Sequence, residues 1–175
     1  MSDLLYLALL GLVAAERLFE VGLSNRNRLW ALSEGGYEVG KRHYPVMVVL
    51  HALFLPACGL EVVLLERPWR PELGLPMLGA VALTMALRYW AISSLGRRWN
   101  TRVVVIQCRP LETGGPYRWM RHPNYLAVVV EMAALPLVHG AWCTALAFSV
   151  ANALLLRVRL QVEERALAQA ASEVS

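Results

Sequence analysis

Arg121, His122, Pro123, Asn124 and Tyr125 stand where a polar segment gives way to an apolar run whose one charged residue is Glu131. Proline suits the first position of a helix, because its missing N–H would find no partner there anyway. The remaining amides of such a turn, with the positive end of the helix dipole, make an anion site. Arg118 and Arg121 add charge, while His122 and Tyr125 add hydrogen-bonding and stacking surface. The same residues would also serve as a basic, aromatic anchor at a membrane surface ahead of an ordinary helix start, and physics alone leaves the two readings balanced.

Further along, Arg159 and Glu163 are four apart and share one helix face, with Asn152 and Leu156 above them. Such a pair is ordinarily a solvated ion pair worth a few tenths of a kcal/mol. Arg before Glu is the weaker order for helix stability, so the pair is also placed to hold a zwitterionic or cationic ligand where the helix leaves its apolar block. Glu16, Arg17, Glu20, His51, Glu61, Arg88 and Glu131 lie inside apolar segments, where an ionisable group costs about 2.5–3.5 kcal/mol on insertion and is by default a site hypothesis. For Glu16, Arg17, Glu20 and Arg88, near expected helix ends, snorkelling to the interface is the preferred reading. For the deeper Glu131 and His51, an interhelical hydrogen bond and a ligand contact both stay open.

These residues need elements that hold them at a common height. The chain has 175 residues, 57% of them hydrophobic and 17% charged, against about 45–50% and about 25% for soluble domains. The apolar residues come in long blocks rather than short periodic faces, so the bilayer is the solvent implied. Residues 46–65 and 73–95 each supply the roughly 20 apolar residues a crossing helix needs. Residues 4–21, preceded by Asp3 instead of a basic stretch and lacking a cleavage signal, read as a retained first span. The run 125–156 is too long for one crossing and is interrupted by Leu-Pro-Leu-Val-His-Gly at 135–140, which predicts a hairpin of spans 125–138 and 141–157. The expected fold is all-α and integral to the membrane: one domain over 1–175 with about five transmembrane helices, a long loop at 97–123 that is more than a passive connection, and a C-terminal helix from about 152 to 171.

The net charge of +4 does not point to nucleic acid, because the basic residues sit between apolar blocks as juxtamembrane anchors do. Arginines and lysines crowd the 26–42, 97–121 and 157–165 segments, whereas Arg67 and Arg70 stand alone on the other side. The positive-inside rule therefore puts the 97–123 loop and the C-terminus in the cytoplasm, and the N-terminus and the 138–140 turn outside. Within that loop, residues 102–107 read as a short extended stretch, punctuated afterwards by Pro110 and Gly114-Gly115-Pro116. Cys58, Cys108 and Cys143 have no CxxC spacing and an odd count, so neither a disulfide framework nor a metal site is expected.

Three stretches, LGRRWNTRVVVIQ, LETGGPYRWMRHPNYL and RLQVEERAL, together resemble the isoprenylcysteine carboxyl methyltransferase family of integral-membrane enzymes. The resemblance covers roughly residues 95–167. The earlier ERLFEVGLSNRN and GGYEVGKRHYPVMVVLH resemble a bacterial branch whose members O-methylate alkylpyrones and alkylresorcinols made by type III polyketide synthases. It implies an S-adenosylmethionine-dependent O-methyltransferase of a bacterial cytoplasmic membrane, functionally linked to such a synthase. The cofactor would be held by Gln107, Arg109, Pro110, Leu111, Glu112, Tyr117, His122, Pro123, Asn124, Tyr125 and Glu163, with Arg159 on the acceptor side. Ala127 stands where the prenylcysteine enzymes usually carry glycine, which turns the expectation away from a prenylcysteine acceptor.

An enolic or carboxylate acceptor is largely ionised near neutral pH and needs only electrostatic steering by Arg159. A phenol, with a pKa of about 10, would gain from a general base, with His122 or Glu131 as candidates. The ionised acceptor is the case adopted. The alternatives are a prenylcysteine carboxyl or phospholipid methyltransferase, and a non-catalytic membrane transporter or scaffold that uses the buried carboxylates as a polar path.

Overall fold

The computed structural model describes residues 1–41, 43–106 and 112–172, with side chains as far as residue 166. Helix α1 (Asp3–Ser33) starts under the Ser2 hydroxyl, which accepts from the Leu5 amide at 3.4 Å, and carries Asp3 in its first turn, where the helix dipole favours it. A short strand β1 (Tyr37–Val39) follows, then α2 (Tyr44–Leu64) and α3 (Pro71–Leu95). After the tight turn Gly96–Arg98 come strand β2 (Val103–Val105), the turn Gly115–Arg118, α4 (Pro123–Leu137) and α5 (Trp142–Ser172). Helices α2, α3 and α4 each have proline in the first turn, as the missing N–H favours.

The expected hairpin break is present, with Pro136 near the end of α4 and Gly140 at φ +73°. Two elements are longer than the hydrophobic blocks that announce them. Helix α5 is continuous from Trp142 to Ser172, so the fifth expected span and the C-terminal helix are one element; no proline or glycine interrupts it. Helix α1 likewise runs past residue 21 to Ser33, because Ser24, Asn27 and Ala31 give its polar extension a buried face.

Three helices are long and apolar enough to cross a membrane, at 44–64, 71–98 and 142–166. Helix α1 is long enough but carries Glu16, Arg17 and Glu20, and α4 has 15 residues, about 22 Å of rise against about 30 Å of hydrocarbon. The chain is inside-out in its burial: Leu64, Leu83 and Leu146 are 70% or more exposed on the outer faces, as lipid-facing leucines are. The packed interior joins Tyr6 and Val13 of α1, Phe54, Cys58 and Val62 of α2, Val81 of α3 and Met132 and Leu135 of α4.

At the end where α1, α3 and α5 begin, the Tyr6 hydroxyl donates to the Leu135 carbonyl at 3.1 Å. There Glu61 accepts from the amides of Cys143 at 3.1 Å and Thr144 at 2.7 Å, and Arg67 donates to it at 2.9 Å. Glu61, a site candidate by sequence, thus caps the N-terminus of α5 from a neighbouring helix and satisfies donors that the helix itself cannot. The opposite end of the bundle carries the longer connections, 34–43 and 96–122, with both strands.

Candidate functional site

The frame of the loop end comes from the polar extension of α1. The Asn27 amide donates to the Trp99 carbonyl at 2.8 Å, and the Thr101 amide donates to the Ser24 hydroxyl at 2.9 Å. Strand β2 realises the extended stretch expected at 102–107, and it pairs antiparallel with β1, Tyr37 opposite Val105. The sequence reading missed β1; its signal was a β-prone Tyr-Glu-Val flanked by Gly36 and Gly40. Glu38 on β1 receives Arg28 at 2.9 Å and Arg102 at 2.7 Å. Burial works against ionisation of Glu38, but the hydrogen bonds from Arg102 and Arg28 outweigh it and hold the carboxyl below the usual range.

Under this frame lies a polar cleft of about 850 Å³ lined by Trp99, Glu112, Tyr117, His122, Asn124, Tyr125, Arg159 and Glu163, among others. Each wall is fixed locally. Glu112 pairs with Arg98 and accepts from the Gly114 amide at 2.9 Å. Gly115 sits at φ +55°, and a side-chain carbon there would come within 2.0 Å of the Ser94 hydroxyl, so only glycine lets this turn close on α3. Burial pushes the Tyr117 phenol up to about 12, with the Glu163 and Glu112 carboxylates adding to it, so the hydroxyl stays protonated. His122 stacks on Tyr125 with ring centres 5.1 Å apart and planes within 8°, and its Nδ1 faces Glu163 at 3.9 Å.

Pro123 opens α4 as expected, but the Tyr125 and Leu126 amides both donate to the His122 carbonyl, at 3.1 and 3.2 Å. The first turn therefore presents fewer donors for an anion than the sequence suggests. Gln107, Arg109, Pro110 and Leu111, named as cofactor ligands from sequence, lie outside the described residues.

Arg159 and Glu163 share a face of α5 but do not form the simple exposed pair. The Tyr125 hydroxyl stands between them, accepting from Arg159 Nε at 2.7 Å and donating to Glu163. Arg159 is also buried, at 9% exposure. Its guanidinium reaches a second space, an apolar cavity of about 460 Å³ enclosed by all five helices, α3 through Arg88. Trp99, Asn124, Tyr125 and Arg159 line both spaces. His122 lines the cleft alone, and His51 and Glu131 line the cavity alone.

The floor of the cavity corrects the snorkelling expectation. Arg17 Nη2 lies 2.7 Å from both oxygens of Glu131 and Nη1 lies 2.5 Å from Glu20. Arg88 pairs with Glu131 from α3 and reaches Glu20 at 3.7 Å, while Glu16 stands 3.6 Å from Arg17. The side chains of Glu20, Arg88 and Glu131 are 5–7% exposed. They turn inward because three helices bring opposite charges together, and a paired charge needs no route to water. Sequence periodicity carried no sign of this pairing.

Comparison with known proteins gives the chain's relatives. The model of the isoprenylcysteine carboxyl methyltransferase (ICMT) family matches residues 77–169, from the middle of α3 into the charged part of α5. The uncharacterized protein YpbQ of Bacillus subtilis (strain 168) is 36% identical over 160 residues, 91% of this chain and 94% of that protein. An uncharacterized protein of Haemophilus influenzae (strain ATCC 51907 / DSM 11121 / KW20 / Rd) is 25% identical over 158 residues, 89% and 90% of the two chains. No solved structure gives a significant match.

Proposed function

We propose, from the premise that this chain belongs to the isoprenylcysteine carboxyl methyltransferase family, that it transfers a methyl group from S-adenosylmethionine to an oxygen of a lipophilic acceptor. The family makes it a membrane methyltransferase, and its apolar helices agree. The acceptor we assign is a polyketide-derived alkylpyrone or phenolic lipid, supplied by a type III polyketide synthase. One observation carries the reading: a polar cleft and an apolar cavity share Trp99, Asn124, Tyr125 and Arg159 as a common wall. A charged nucleoside cofactor must come from water and a lipid must come from the bilayer, so they can react only where two such spaces meet.

The cleft fits the cofactor chemically. Asn124 Oδ1 and Trp99 Nε1 are buried without a hydrogen-bond partner among the described residues, which leaves an acceptor and a donor for a ligand. Glu112, Glu163 and the stacked faces of His122 and Tyr125 suit a cationic centre. Glu112, Tyr117, His122, Pro123, Asn124, Tyr125 and Glu163 would hold the cofactor, completed by Gln107, Arg109, Pro110 and Leu111 from the family resemblance. S-adenosylmethionine, when bound, supplies a methyl on a sulfonium, a leaving group good enough that the protein's task is alignment and exclusion of water.

Arg159 steers the acceptor's oxyanion towards the shared wall, and the Tyr125 hydroxyl fixes its orientation by holding Nε. His122 belongs to the cofactor side. Glu131, with both oxygens taken by guanidinium donors, holds the cavity floor together. In the bilayer we assign five spans, α1 and α4 included, because the charges of α1 are paired inside the bundle and α4 packs between α3 and α5. The loop end faces the cytoplasm by the positive-inside rule.

The test uses the full chain in lipid nanodiscs with methyl-labelled S-adenosylmethionine and four acceptors: an alkylpyrone, an alkylresorcinol, a prenylcysteine and phosphatidylethanolamine. Label is expected in the first two, faster in the alkylpyrone, whose enolic oxygen is already ionised, than in the alkylresorcinol, whose phenol must first lose its proton to solvent. Label confined to the last two would replace the acceptor class, and absence of S-adenosylmethionine binding by calorimetry would remove the enzyme reading altogether.

A further inference from the structure

The ion pairs at the cavity floor do not use all of its polar atoms. Glu20 and Arg88 are each 4% exposed, yet Glu20 Oε1 and Arg88 Nε have no hydrogen-bond partner among the described residues, and both residues line the cavity. His51 joins them on the same wall, within electrostatic reach of Arg17, Arg88 and Glu131. Its Nδ1 lies 2.9 Å from the Met47 carbonyl. A carbonyl only accepts, so Nδ1 carries the proton, and Nε2 of the neutral ring offers a lone pair. Among the described residues the floor thus presents two unused acceptors, Glu20 Oε1 and His51 Nε2, and one unused donor, Arg88 Nε.

We infer that this floor is a second recognition point for the acceptor, one that takes a hydroxyl other than the oxygen receiving the methyl. The inference rests on the proposed acceptor chemistry and deepens it. Matching the floor requires a group that donates and accepts at once. An ammonium donates only, and an oxyanion or ether accepts only. A hydroxyl does both. An alkyl tail would leave the buried Glu20 Oε1 and Arg88 Nε unpaired, and it has another way out. Leu18, Val21 and Val48 line the cavity while 43–74% exposed on the outer surface of α1 and α2, so the tail passes sideways into lipid.

Depth sets the size of the polar head. Glu131 stands six residues along α4 from Tyr125, about 9 Å of helical rise. One ring with an oxygen directed at Arg159 and a hydroxyl directed at the floor fits that interval and the cavity's volume of about 460 Å³.

The experiment measures binding of two probes to the full chain in nanodiscs: 5-pentadecylresorcinol, with two hydroxyls, and 3-pentadecylphenol, with one. The native chain should bind the resorcinol at least about tenfold more tightly, the expected scale for one hydroxyl with buried partners. His51→Leu should erase most of that preference while leaving S-adenosylmethionine affinity unchanged, and His51→Gln, whose amide oxygen can accept, should restore part of it. Equal affinity of the native chain for the two probes, or no binding of either, overturns the subsite even if His51→Leu does not fold. A preference that survives intact in His51→Leu also overturns it. The resorcinol preference without methyl transfer to any acceptor would leave the subsite standing and overturn the proposed function instead.

Discussion

The cleft and the cavity both bury charge, and they stabilise it in opposite ways. In the cleft the carboxylates are held by groups of the loop and helix start, as Glu112 is by Arg98 and the Gly114 amide and Glu163 by Tyr125, and both side chains remain 24% exposed to water. On the cavity floor Arg17, Glu20, Arg88 and Glu131 meet side chain to side chain across three helices. Water can stand in for a ligand in the first region, so those charges stay available for binding. In the second no solvent replaces a lost partner, so the charges must satisfy one another before they do anything else.

That contrast predicts its largest effect on the floor. Glu131→Leu leaves Arg17 and Arg88 to share Glu20 as their buried partner and should cost about 3–5 kcal/mol of stability, read as a lower unfolding temperature in detergent. A negligible shift would mean that water reaches the floor and that the two regions do not differ. Arg159→Ala, at the shared wall, should lower methyl transfer by about 10²–10³-fold and leave calorimetric S-adenosylmethionine affinity near that of the native chain. Full activity in that variant would end the steering role. Tyr125→Phe removes the hydroxyl between Arg159 and Glu163, and kcat should fall by about tenfold, the scale of one charge-assisted hydrogen bond.

The smallest effect belongs to the strand pair above the cleft. Because the folded pKa of Glu38 is depressed, its contribution is fully present above the ordinary carboxylate value of about 4.3 and is lost as pH falls through the lower folded value. Hydrogen exchange at β1 and β2, corrected for intrinsic rates, should be flat from about pH 7 to about pH 5. It should rise only below about pH 4. Glu38→Gln should abolish that acid limb; an unchanged limb would assign it to another carboxylate.

Legibility from sequence follows the same division. The spans expected at 46–65 and 73–95 differ by two residues or fewer from α2 and α3, since twenty apolar residues in a row mean one thing to a bilayer. Part of the cleft's lining was legible too: His122 and Tyr125 from the polar helix start, and Glu112, Tyr117 and Asn124 only through the family resemblance. Strand β2 was visible as a valine run, whereas β1 was three residues between glycines with its partner far along the chain. The cavity was not legible at all. Its walls come from five helices, and the ion pair at its floor joins residues 114 apart.

By itself the sequence determined the membrane character, the places where helices begin and break, and the family, because length, apolarity, proline and glycine act locally. Only the tertiary structure decided which charges would meet. Whether Arg17 and Arg88 snorkel or turn inward depends on the rotation of α1 and α3 about their axes relative to α4, and no local property of those helices specifies that rotation. The same packing put Tyr125 between Arg159 and Glu163 and brought a water-facing cleft against a lipid-facing cavity, since contact between distant segments is a property of the bundle and not of any one helix.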